Sequence, residues 1–190
     1  MTTVTLPTVT PPPESPGGVG RLPRPGRYAV APGRSLVELT GWYGPLPTRR
    51  RRVTLTGASL TVPEPGVPGT GESGAVTSSP SEQPVFRFEL TGLGPPSALT
   101  SSRAALVSQH VEPFDDGQRL RLRLLADLEL GGVLFPVLLW LRVVERADDR
   151  LLVVGTARLP YRLLRRATGF RLGRLCPATR LRLLVAAEFA

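Results

Sequence analysis

No lysine, isoleucine or asparagine occurs anywhere in this 190-residue chain. The missing asparagine excludes an N-glycosylation acceptor. The missing lysine makes every one of the 24 basic residues an arginine. Those three absent residue types are encoded by A/T-rich codons, whereas Ala, Gly, Pro and Arg, which are abundant, are encoded by G/C-rich ones. The arginine count therefore reads first as base composition. A formal charge of +9 and an isoelectric point near 11.3 would otherwise suggest a polyanionic partner. Cys176 is the single cysteine, which excludes an intramolecular disulfide. His110 is the single histidine and has no Cys or acid at metal-ligand spacing. No Gly-rich phosphate loop, nucleophile elbow or metal pattern is present, so neither an enzyme nor a cofactor is expected. No apolar run reaches the roughly eighteen residues of a membrane helix. The first residues, MTTVTLPTVTPPPESPGG, carry neither a basic start nor a continuous apolar core, so no secretory signal is read there. A soluble, cytoplasmic protein is the expectation.

What the chain does contain is alternation. Residues 118–130, QRLRLRLLADLEL, place Leu120, Leu122, Leu124, Ala126, Leu128 and Leu130 on one parity. Arg119, Arg121, Arg123, Asp127 and Glu129 fall on the other, with Leu125 as the exception. A period of two puts these sets on opposite faces of a strand, and its length is about twice the usual five or six residues. Long two-faced strands belong to a large antiparallel sheet or a closed barrel.

Other segments follow the same pattern. Strands are expected at 27–31 and 35–40, separated by Pro32-Gly33, and at 51–62, where the phase flips at Gly57 as at a bulge. Further strands are expected at 85–91, at 103–112, and at 133–145, which is apolar on both faces. Pro136 within that last strand favours an edge or irregular position. Strands at 150–159 and 179–189 flank Tyr161–Gly169, read as a short helix ending at the glycine. Turns are read at Asp115-Asp116-Gly117, Gly131-Gly132 and Ala147-Asp148-Asp149. Residues 1–26 read as a disordered Pro/Thr-rich tail, and 63–84 as a flexible loop within one domain spanning 27–190. The fold expected is all-β: an antiparallel, lipocalin-like barrel of about eight strands with one short helix near 161–168.

Three blocks resemble the YceI-like family. Tyr28 to Leu39 is similar to its opening strand pair, and 47–62 to the following hairpin, with Gly57 at a position where that family tends to place glycine. LELGGVLFPVLLWLRVV (128–144) resembles its Gly-Val, Pro-Val hairpin, and 155–170 its segment with an Arg-x-x-x-Gly ending. Residues 102–113 occupy the place of a strand that usually carries Phe-x-Ser. The likeness covers about 27–189. The chain departs from it in having Arg34 where members commonly have His, in reading Arg50-Arg51-Arg52-Val53 for Arg-Gly-Arg-Phe, and in bridging 91–102 without the acidic and aromatic segment.

The resemblance implies a barrel that holds an isoprenoid or other long-chain, fatty-acyl type of lipophile along its axis, without chemistry. The lining expected on the inward parity is Phe86, Phe88, Leu120, Leu122, Leu124, Leu181, Leu183 and Val185, with Trp42 and Tyr43 at the mouth. The same side chains could equally fill the barrel as its core, since small barrels are often packed solid. No inward charge is read that could grip a head group. The run Arg49–Arg52 reads as a solvated strand start or as a contact for lipid phosphate. The rival reading is an interaction module, with a homodimer as one form of it, that uses Val133–Val144 as its contact surface. Nucleic-acid binding ranks last, because the arginines are not interleaved with aromatics in sequence.

Overall fold

The structure, a computed structural model, describes residues 22–64, 83–93, 103–115, 120–172 and 178–190. Among these, eight strands form one closed barrel in chain order. They are β1 (Gly26–Tyr43), β2 (Leu46–Val62), β3 (Val85–Thr91), β4 (Arg103–Asp115), β5 (Leu120–Leu130), β6 (Val133–Arg146), β7 (Leu151–Leu159) and β8 (Arg180–Phe189), with α1 (Tyr161–Thr168) between the last two. Each strand pairs antiparallel with its chain neighbour, and β1 pairs with β8 to close the ring. Closure leaves no free sheet edge around most of the circumference. Residues 22–26, within the segment expected as a tail, are among those described. Pro23 is buried, the Arg24 amide donates to the Asp148 carbonyl, and the Arg24 guanidinium pairs with the Asp148 carboxylate at 2.7 Å.

The alternation in β5 becomes burial directly: Leu122, Leu124, Ala126, Leu128 and Leu130 are buried, while Arg121, Arg123, Leu125 and Glu129 face out. The glycine pair that follows makes a two-residue hairpin, with φ of 61° at Gly131 and 77° at Gly132. Two consecutive positive φ values are the geometry of a type I′ turn, which glycine adopts without a Cβ penalty. The expected bulge at Gly57 is present as a register shift between Leu55 and Gly57. Beyond it Ala58 and Leu60 return to the core.

Two expectations are refined. The segments 27–31 and 35–40 are one 18-residue strand, with the irregularity at Pro32-Gly33 absorbed as register shifts toward both neighbours. Pro136 lies opposite Asp127 in an unbroken β5–β6 ladder, but the β6–β7 ladder begins only at Leu139. The proline thus sits where β6 has lost one partner, so its missing N–H breaks no ladder bond there. Leu163 and Ala167 of α1 lie with Leu134, Phe135 and Pro136 along this stretch.

Helix α1 starts after Pro160 and ends at Gly169, whose N–H bonds the Arg165 carbonyl. Its buried residues Tyr161 and Leu164, with Phe170 and Leu172, close the barrel end that carries the β1–β2 and β5–β6 turns. Tyr161 and Phe170 meet edge to face at 6.1 Å. Leu172 packs onto Gly41 so closely that a Cβ there would collide with it. Only a residue without a side chain lets the plug seat against β1. Gly41→Val is therefore expected to lower stability by about 1–3 kcal/mol, as overpacking does, measured by denaturant unfolding.

Polar groups inside the wall are paired. Ser108 is buried beside a register shift in β4, and its Oγ accepts the Phe86 N–H at 2.8 Å. Ser108→Ala would leave that buried amide without a partner and is expected to cost about 1–3 kcal/mol, read from the shift in the urea midpoint.

Candidate functional site: the bore and the outer cleft

The residues expected to line a tunnel do face inward, and they touch one another. Phe189 of β8 meets Phe86 and Phe88 of β3 at 5.8 and 6.0 Å, both edge to face. Phe86 and Phe88 stack at 6.4 Å. β3 and β8 are separated by two strands on the barrel wall, so these contacts run through the bore. Phe86, Phe88 and Phe189 are 0%, 1% and 0% exposed. Leu122, Leu124, Leu181, Leu183 and Val185 are buried to the same degree. Accessible area includes internal surface, so a channel wide enough for a hydrocarbon would leave its lining measurably exposed. Leu120, at the start of β5, is partly buried against the same core. The bore is thus filled by side chains, at the density expected of a protein interior.

Alternation continues past Val53 at the start of β2, with a consequence for charge. Arg51 pairs with the buried Leu39, and cross-strand partners share a face. This half-buried arginine therefore stands on the inward row near the plugged end, where the sequence suggested no charge. Arg50 is on the outward row, 3.8 Å from Glu38.

Trp42 and Tyr43 are not in a loop but end β1. Tyr43 is exposed. Trp42 faces outward, opposite Arg180 of β8, and joins a cleft of about 670 Å³ on the outer wall. One side of this cleft is Leu138 and Trp140 of β6. The other is Arg180 and Arg182 of β8 with Trp42, while Thr156 and Arg158 of β7 lie between. Trp140 lies directly across from Thr156, and the short threonine between longer neighbours makes the depression. Arg158 and Arg182 are direct cross-strand partners, and Arg158, Arg180 and Arg182 have no carboxylate partner among the described residues. The Trp42 Nε1 is buried with no hydrogen-bond partner, the one such side-chain atom among the described residues. No local sequence signal pointed to this cleft, because its residues come from four strands and meet only through register.

The remaining candidates are ordinary surface chemistry. His110 Nε2 lies 3.1 Å from Glu112. The Arg123 guanidinium, bonded to the same carboxylate, holds Glu112 below the usual carboxylate range. Among the described residues no group of His, Cys, Asp or Glu could hold a metal ion, and no helix is long and apolar enough to cross a membrane. Cys176 and the Asp116-Gly117 turn lie outside the described residues, as do most of the 63–84 segment and the tail through residue 21.

Fold and surface together define a class: a closed eight-stranded antiparallel barrel with a filled interior and a cleft on its outer wall. Neither a protein-family model nor a curated protein matches the chain.

Truncating the ring that crosses the bore tests the packing. Phe189→Ala is expected to lose about 3–5 kcal/mol and to create a dry cavity that takes up xenon or benzene, as apolar voids do. Unfolding midpoints and ligand-dependent stabilisation would read both effects.

Proposed function

We propose that the protein is a non-enzymatic interaction module whose barrel interior is core and whose outer β5–β6 face meets a second copy of the chain. The observation that carries this reading is the pattern of that face. The outward residues of β5 run Arg121, Arg123, Leu125, Asp127, Glu129, and opposite them on β6 stand Arg142, Trp140, Leu138, Pro136 and Leu134. The middle is apolar and exposed: Leu134 is 63% and Trp140 44% accessible, and Leu125, Leu138 and the neighbouring Leu163 of α1 are exposed too. Isolated exposed leucines are unremarkable, whereas a contiguous group is the mark of an interface.

Charge selects the partner. The sign reverses about Leu125, with arginines toward one end and Asp127 and Glu129 toward the other. A two-fold axis lying in the contact plane, crossing the strands at Leu125, sets the basic end of one copy on the acidic end of its partner. It also stacks the two apolar centres. Self-complementarity of this kind is what an isologous interface requires. Asp127 and Glu129 have no cationic partner among the described residues of their own chain.

Light scattering over a concentration series should show a dimer. Leu125→Glu with Leu134→Glu should abolish it, and Asp127→Arg with Glu129→Arg should weaken it by about tenfold or more, as repulsion replaces attraction. A protein that stays monomeric throughout would remove this reading.

A second reading, carriage of an isoprenoid-like or long-chain molecule inside the barrel, is supported by the wholly aliphatic and aromatic residues about its middle and by the likeness to the YceI-like family. It requires Phe189 to swing away from Phe86 and Phe88. Solvent extraction of purified protein followed by mass spectrometry separates the two readings. A stoichiometric uncharged long-chain lipid would replace the interaction reading with carriage, and its absence is expected.

A further inference from the structure

We infer that the outer cleft between Trp42 and Trp140 is a binding site for a monomeric amphiphilic anion, an apolar body carrying one carboxylate or phosphate. This inference does not rest on self-association: its cationic residues lie on β7 and β8, while Leu138 and Trp140 belong to both surfaces, so a bound ligand and a second copy would compete for them.

Three features of the cleft point to that chemistry. The first is size and shape. A concavity of about 670 Å³ lies within the roughly 300–1,000 Å³ range of small-molecule sites, and it holds one ligand where a bilayer would need a protruding apolar surface.

The second feature is charge. Arg158 and Arg182 face each other across the β7–β8 ladder, an arrangement that is repulsive when nothing intervenes. Arg180 adds a third guanidinium two residues along β8. Of the outward acids on β1 and β8, Glu38 is engaged with Arg50, and Glu188 stands toward the far end of β8 with Arg34 and Arg150. One bound anion would turn that repulsion into charge-assisted hydrogen bonds, for which the planar guanidinium suits both carboxylate and phosphate.

The third feature is the apolar flank. Trp42, Trp140 and Leu138 line the cleft beside the arginines, which gives the ligand's body a surface to cover while its head meets the cations. The orphaned indole Nε1 of Trp42 is a donor whose desolvation is uncompensated, and an acceptor on a ligand that reached it would satisfy it.

The test is unusually direct because Trp42 and Trp140 are the only tryptophans in the chain. At concentrations where light scattering shows monomer, tryptophan-selective fluorescence of the full-length protein therefore reports the cleft, because self-association would otherwise perturb Trp140 as well. Titration with dodecanoate or dodecyl phosphate, kept below micelle formation, should give a saturable change that added salt weakens. Dodecanol should bind about tenfold more weakly or worse, since it lacks the charge-assisted bonds. Arg158→Gln with Arg182→Gln should bring the anions down to the level of the alcohol, with circular dichroism and unfolding midpoint confirming an intact barrel. Equal responses to alcohol and anion, or an unchanged response in the double variant, would overturn the site. So would a response to phosphatidylglycerol vesicles with none to the monomeric anions, which would assign the surface to a membrane.

Discussion

Closure is the constraint on which the rest of this structure depends. Once β1 pairs with β8, every strand must send one parity of side chains into a space of fixed width, and eight strands leave little of it. The residues sent inward are Leu, Val, Ala and Phe almost without exception. Burial of that set supplies the main stabilising term, at roughly 25 cal/mol per Å² of apolar area. Three phenylalanine rings then meet through the middle, so the space that could hold a guest in a wider barrel is occupied by the chain itself. That leaves the outer face of the wall as the surface a partner can reach.

The closed wall also explains the helix and its plug. A barrel has no exposed edges, but it has two open ends, and apolar side chains in the last inward rows would face water there. The sequence between β7 and β8 meets this need with Tyr161, Leu164, Phe170 and Leu172, all buried. Gly41 supplies the gap into which Leu172 fits. At the opposite end the Arg24–Asp148 pair and the hydrogen bonds exchanged between Ala29 and Ala190 hold residues 24–29 and Ala190 against the wall. The exposed ion pair contributes little by itself, and the backbone exchange is what completes the ladder past the irregularity in β1.

Much of this architecture was legible because strand alternation is a local signal. The parity of 118–130, the phase flip at Gly57, the glycine hairpin and the helix ending at Gly169 each depend on residues within a few positions of one another. The partial edge at Pro136 was legible for the same reason, since a proline forbids a ladder bond whatever surrounds it. The cleft was not legible. Trp42, Trp140, Arg158 and Arg182 are far apart in the chain and meet only when four strands take one particular register. Contact of Phe189 with Phe86 and Phe88 is equally nonlocal. Alternation shows that a side chain points inward, but not whether another already fills the space ahead of it. The inward position of Arg51 was obscured differently: a run of four arginines hides its own parity, and only the pairing with Leu39 reveals it.

The arginines illustrate the difference between how many residues a chain has and where they stand. Genome base composition accounts for using arginine in place of lysine, and the long arginine stem is suited to covering the outer face of a strand. Neither fact sets the distribution of charge. On β1 and β4 the outward acids Glu38 and Glu112 each sit beside an arginine or histidine. On β7 and β8 the outward acid is confined to the end near the termini, where Glu188 serves two arginines at once. The other end of the same two strands holds Arg158, Arg180 and Arg182 against tryptophan and leucine. Three guanidiniums without a carboxylate partner among the described residues stand together there, and low-dielectric walls focus such a field rather than disperse it. Coulomb repulsion across one ladder rung is a standing cost that folding alone would remove by placing an acid at either position. Its presence beside a third arginine and an apolar flank is the physical reason to look for an anion at that rung.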